Sequence, residues 1–81
     1  MKKVHQMLRD FRESRGVTQI HVARQAGLTA QRISQLETGL VRLTADEFLK
    51  IIIDGFGTTP QIFFDEQLSE IEKSDANNPN A

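Results

Sequence analysis

Apolar residues in the first fifteen positions recur every three or four residues, the spacing of one face of an α-helix. Charged and amide side chains fill most of the positions between them. Gly16, which follows this segment, is a typical helix stop. The pattern predicts an amphipathic first helix whose buried face is formed by Val4, Met7, Leu8 and Phe11.

Two short segments follow, each with its own start and stop signal. Thr18 is a suitable N-cap for a second helix that ends at Gly27. Thr29 and Gly39 bound a third helix in the same way. The apolar positions predict the buried faces, which are Val22, Ala23 and Ala26 in the second helix and Ile33 and Leu36 in the third.

The second half of the chain predicts two further helices. Thr44 and Glu47 have the spacing of a capping box and open a fourth helix that ends near Gly55. Thr59 before Pro60 opens a fifth, since proline is favoured in the first turn of a helix. Both segments are rich in isoleucine, leucine and phenylalanine.

These elements together predict an all-α fold of five short helices, because apolar and polar residues nowhere alternate at period two for long. We assign residues 1–72 to one domain. The segment KSDANNPNA, residues 73–81, has almost no apolar side chains and is predicted to be a disordered tail.

The second and third helices are joined by the short turn around Gly27, so they must cross at a large angle, as in a helix-turn-helix. Glutamine amides can pair with adenine, arginine with guanine, and alanine can contact the thymine methyl group in the major groove. An ordinary polar helix surface is the alternative interpretation, which the turn pattern disfavours. The predicted base-contacting residues on the outer face of the third helix are Ala30, Gln31, Arg32 and Gln35.

The net charge of −1 conceals two halves of opposite sign. Residues 1–42 contain eight Lys and Arg against three Asp and Glu, a net charge of +5, and residues 43–81 contain two against eight, a net charge of −6. A basic first half suits a polyanion such as double-stranded DNA. The chain has no cysteine and no apolar run long enough to span a membrane. We therefore expect a soluble, cytoplasmic protein.

The segment LRDFRESRGVTQIHVARQAGLTAQRISQLETG resembles the phage repressor and Cro family of helix-turn-helix regulators, also described as the xenobiotic-response-element type. The resemblance extends from about Val4 to Phe64 and implies a lambda-repressor-like fold. The family signature is matched at every position: Thr18-Gln19, Val22-Ala23, Gly27, Ile33-Ser34, Leu36-Glu37 and Gly39.

The resemblance also implies roles for individual residues. Gln19 would contact a phosphate and brace the third helix, and Arg12 would form a structural ion pair with Glu37. One departure stands out, since relatives often have basic residues directly after the last glycine and this chain has Leu40 and Val41. The residues implied to contact the DNA backbone are Thr18, Gln19, Thr29, Thr38 and Arg42.

The last two helices carry more apolar faces than one small core needs, which predicts a homodimer. A two-fold pair would place two recognition helices about one DNA turn, roughly 34 Å, apart on a near-palindromic operator. This part of the chain also resembles the dimerising region of the controller proteins of restriction-modification systems. The predicted dimer interface comprises Phe48, Ile51, Phe63, Phe64 and Leu68.

The predicted function is thus a sequence-specific DNA-binding transcriptional regulator. The alternative is an antitoxin or another protein-interaction module on the same fold. We expect no enzymatic activity, because no nucleophile-base pair or phosphate-binding glycine loop is present. His5 and His21 are far apart without cysteine partners, so no metal site is predicted. No segment indicates a cofactor or a small-molecule ligand.

Overall fold

The computed structural model describes the backbone of residues 2–76 and the side chains of residues 2–69. The helices in this part of the chain are α1 (Val4–Ser14), α2 (Gln19–Ala26), α3 (Ala30–Thr38), α4 (Ala45–Leu49) and α5 (Pro60–Ala76), with a π-helical segment, Lys50–Gly55, directly after α4. No β-strand occurs among residues 2–76. These elements confirm the predicted all-α class with five helices.

Threonine side chains start four of the five helices, as the sequence predicted. In each case the Oγ1 atom accepts a hydrogen bond from a backbone N–H in the first turn, at 3.0 to 3.2 Å. Such a bond satisfies one of the N–H groups that a helix start leaves without a partner. The four capping residues are Thr18, Thr29, Thr44 and Thr59.

The hydrophobic core of the described residues lies where α1, α2, α3, the π-helical segment and α5 meet. Phe11 and Phe63 are fully buried, with ring centroids 5.3 Å apart, and Phe56 lies 4.9 Å from Phe11. The remaining buried apolar residues come from all the predicted faces: Met7, Leu8, Val22, Ala23, Ala26, Ile33, Leu36, Ile51 and Ile52.

The π-helical segment departs from the prediction of one continuous fourth helix. The Phe56 N–H bonds to the Ile51 carbonyl, five residues back, at 2.8 Å. Gly55 is buried against α2, where a Cβ atom would lie 3.0 Å from Val22 Cγ1. The wider turn and the missing side chain together let this segment approach α2 closely.

The backbone of α5 is helical through Ala76, so this helix is longer than predicted. Residues 73–76 of the segment predicted to be disordered therefore continue this helix. Residues 77–81 lie outside the described residues.

Two residues that the sequence predicts in the dimer interface, Ile51 and Phe63, are buried inside the single chain instead. Ile51 is 2% exposed and Phe63 is 0% exposed within the single chain, so neither offers a surface to a second copy. The sequence showed that these helices have apolar faces, but both residues turn into the protomer's own core. The other three, Phe48, Phe64 and Leu68, keep at least part of their surface exposed.

Among residues 2–76, none of the helices is both long and apolar enough to cross a membrane. Among residues 2–69, whose side chains the structure describes, no three His, Cys, Asp or Glu side chains come together as metal ligands could.

Candidate nucleic-acid interface

The turn between α2 and α3 is closed by backbone hydrogen bonds around a left-handed glycine. Gly27 has φ of 71°, and its N–H bonds to the Ala23 carbonyl. The Leu28 N–H bonds to the same carbonyl at 2.9 Å. A side chain at Gly27 would strain this conformation, so the residue type fixes where α2 stops and α3 begins.

Helix α3 has one buried face and one outer face. Ile33 and Leu36 are 2% and 1% exposed and anchor the helix against the core. Gln31 is exposed on the outer face, and Gln35, one turn later, is partly exposed. Ala30 is partly exposed but also packs against the core. The two glutamine side chains are therefore accessible to a ligand laid along α3.

Arg32, the third polar residue of this face, is paired with Glu47 at the start of α4. Arg32 Nε donates to Glu47 Oε2 at 2.7 Å, and Nη2 donates to Oε1 at 2.9 Å. The sequence predicts only a capping role for Glu47, because its partner Arg32 lies 15 residues away and no local pattern connects the two residues.

The contact between Arg32 and Glu47 favours the charged forms of both side chains. The hydrogen bonds from Arg32 lower the pKa of Glu47, and those to Glu47 raise the pKa of Arg32. A carboxylate with a lowered pKa stabilises the fold above the ordinary carboxyl pKa and loses that effect only as the pH falls through the lowered value. The pair therefore persists throughout the neutral pH range.

A second ion pair joins α1 to the end of α3. Arg12 Nε donates to Glu37 Oε2 at 2.7 Å, and Nη2 donates to Oε1 at 3.1 Å. Gln19 Nε2 also donates to Glu37 Oε1, at 3.0 Å. The bonds to Glu37 raise the pKa of Arg12. Glu37 thus ties both α1 and the first turn of α2 to α3, which matches the ion pair and the brace implied by the family resemblance.

The residues implied to contact a DNA backbone differ in their available donors. Thr18 and Thr29 accept their capping bonds through Oγ1, so each O–H hydrogen remains free to donate to a phosphate oxygen. The Thr38 hydroxyl instead donates to the Ser34 and Gln35 carbonyls, at 3.1 and 3.2 Å. Thr38 must rotate before it can donate outwards.

The basic first half of the chain is partly neutralised by ion pairs. Side chains of Lys2, Arg9, Arg12, Arg15 and Arg32 each contact a carboxylate. Arg42 is exposed and forms no ion pair within the part of the chain that the structure describes. Two of the carboxylates, Glu47 and Glu66, belong to the acidic second half, so the first half carries less unpaired positive charge than its net charge of +5 suggests.

The two apolar residues after Gly39 take different positions. Leu40 is 76% exposed, whereas Val41 packs against the core. Val41 thus has a structural explanation, and Leu40 lies beside the end of α3 with its side chain in solvent.

Known proteins resemble this chain in sequence and in overall structure. A family model for a helix-turn-helix domain matches residues 6–61. No curated protein sequence gives a significant match. Among solved structures, the wild-type restriction-modification controller protein C.Esp1396I is similar with a TM-score of 0.74 and 27% identity, over 86% of this chain and 90% of that chain. A variant of that protein with an arginine changed to alanine has a TM-score of 0.73 and 28% identity, over 84% and 89% of the two chains.

The family match covers more than half of the chain and includes α2, the turn and α3 in full. The two solved structures share the fold over most of this chain. This chain therefore belongs to the helix-turn-helix family of DNA-binding transcription regulators.

Proposed function

We propose that this chain binds a specific, near-palindromic duplex sequence as a homodimer and regulates transcription from it in the cytoplasm, with α3 in the major groove. The observation that carries the proposal is the two-sided character of α3, in which Gln31 and Gln35 face outwards above the buried Ile33 and Leu36. The similarity to a restriction-modification controller protein supports a regulatory role.

The base contacts follow from the chemistry of the outer face of α3. The amides of Gln31 and Gln35 each offer a donor and an acceptor, the pair that adenine N7 and N6 complement. The Ala30 methyl group suits the thymine methyl group, and the Arg32 guanidinium suits guanine. Amide side chains gain little from facing water alone. Hydrogen bonds to base edges would explain why they line this face of α3.

The backbone contacts position the helix. The free hydroxyl hydrogens of Thr18 and Thr29 can reach phosphates on either side of the groove, and Arg42 supplies an unpaired positive charge. Gln19 donates one amide hydrogen to Glu37, and its second amide hydrogen can donate to a phosphate. Thr38 joins this set after its hydroxyl rotates.

The proposed dimer uses an apolar surface on α4 and α5. The Phe48 and Phe64 rings stack with centroids 5.7 Å apart, and Leu68, one turn after Phe64, is 41% exposed. Beside them, a groove of about 290 Å³ is lined by Val4, Leu43, Thr44, Ala45, Phe48 and Phe64. Val4, predicted to be buried, is 40% exposed at its rim. An apolar surface of this kind is suited to a second copy.

Leu68→Asp is expected to convert the dimer to a monomer, because a charge in an apolar interface loses its hydration without a partner. Sedimentation velocity measures the change. Ile62→Asp is the matched control, since Ile62 is a 48% exposed residue of α5 on the opposite side of the helix from Phe64. A Leu68→Asp variant that sediments as a dimer would remove this residue from the interface.

Two measurements test the proposed function directly. Selection from a random duplex pool should return one half-site repeated as an inverted pair, with centres about 10 base pairs apart. Titration of that duplex against salt should give a linear fall of log affinity with log salt, with a slope of about −0.9 per neutralised phosphate. A chain that enriches no sequence and binds no duplex at low salt is instead a protein-interaction module.

A further inference from the structure

The contact between Arg32 and Glu47 has a geometry that leaves part of the guanidinium open. The carboxylate takes the Nε–H and one hydrogen of Nη2. The edge formed by Nη1 and the second Nη2 hydrogen keeps two nearly parallel donors. Two parallel donors match the O6 and N7 acceptors that guanine presents in the major groove.

Glu47 is itself fixed in place. It lies in the first turn of α4, where its N–H donates to Thr44 Oγ1 and its Oε1 accepts from the same hydroxyl, both at 3.2 Å. Its side chain is 16% exposed, and the Arg32 side chain is 35% exposed. The arginine is therefore held between the start of α4 and the outer face of α3, next to Gln31.

We propose that Glu47 is a positioning residue that holds the Arg32 guanidinium with one edge directed to guanine, and so sets the preference for guanine at one position of each half-site. This inference rests on the proposed function. A long arginine side chain normally loses rotamer freedom when it binds a base. Here that loss occurs on folding, so Arg32 meets the base already ordered.

A competing interpretation makes the opposite prediction. If Glu47 only neutralised Arg32, removal of its charge would strengthen binding to every duplex by a similar factor, because phosphate attraction is independent of sequence. If Glu47 positions Arg32, removal of its charge weakens discrimination between guanine and the other bases at one position. The ratio of affinities for two duplexes separates these cases, since any uniform change cancels.

The experiment uses the 81-residue chain as the wild type, as Glu47→Gln, as Arg32→Ala and as the double variant. Glutamine keeps the shape of the side chain and its bond to Thr44 but loses the charge. Glu66→Gln is the matched control, because Glu66 is a carboxylate of α5 that pairs with Arg15 at 2.7 Å, away from α3. Each protein is measured against the selected operator and its single-base variants at one salt concentration.

We expect Arg32→Ala to abolish the preference for guanine at one position and Glu47→Gln to reduce it about tenfold, within the range of one bidentate contact. The double variant should lose no more than Arg32→Ala, and Glu66→Gln should match the wild type. Three results would overturn this inference alone. One is a Glu47→Gln variant that keeps the wild-type preference for guanine, and another is a Glu47→Gln variant that binds all duplexes more tightly by the same factor. The third is a wild type whose preference for guanine does not depend on Arg32 at any position. Failure of the wild type to bind any duplex would overturn the proposed function as well.

Discussion

Glu37→Ala is expected to lower the free energy of unfolding by about 3 kcal/mol, because it strands a largely buried positive charge. Glu37 has a side chain only 4% exposed and accepts hydrogen bonds from both Arg12 and Gln19. Arg12, at 14% exposed, would retain only its bond to the Val17 carbonyl and a 4.0 Å contact with Glu13. The two bonds that join α1 to α3 would both be lost.

Urea denaturation followed by circular dichroism measures this loss. Glu13→Gln is the matched control, because Glu13 is a 52% exposed carboxylate on the margin of the same pair, and surface ion pairs contribute about 0 to 1 kcal/mol. A domain of this size has a free energy of unfolding of only a few kcal/mol, so Glu37→Ala should be partly unfolded at 37 °C. A loss as small as that of Glu13→Gln would show that the pair is not a main brace of α3.

The features that the sequence predicted well are local ones. An N-cap requires a threonine and the two or three residues after it, and all four predicted threonine caps occur in the structure. A left-handed stop requires only a glycine at the right place, as at Gly27 and Gly39. Such signals can be recognised within a few residues, so helix starts and the turn before α3 were predictable.

The features that escaped prediction depend on contacts between distant residues. A helical period shows that Ile51 and Phe63 lie on apolar faces, but not whether a face packs inside the protomer or outside it. The π-helical turn depends on how closely Gly55 approaches Val22, in another helix. The partner of Arg32 depends on the path of the chain between α3 and α4. Tertiary packing decides each of these outcomes.

The two glutamines of α3 are expected to carry the largest part of sequence discrimination. Gln31→Ala or Gln35→Ala should each weaken binding to the selected operator by about 1 to 3 kcal/mol, because a bidentate contact to adenine is lost. Their binding to a random duplex should change much less, since phosphate contacts remain. Neither glutamine side chain forms a hydrogen bond within the described part of the chain, so alanine should leave the fold intact.

Fluorescence anisotropy against both duplexes at the same salt concentration measures the difference. Gln61→Ala is the matched control, because Gln61 is an exposed glutamine in the first turn of α5, outside α3. It should bind the operator and the random duplex as the wild type does. Equal losses on the two duplexes for Gln31→Ala and Gln35→Ala would mean that these amides contact the backbone, and recognition would then rest on Arg32, Ala30 and the shape of the DNA.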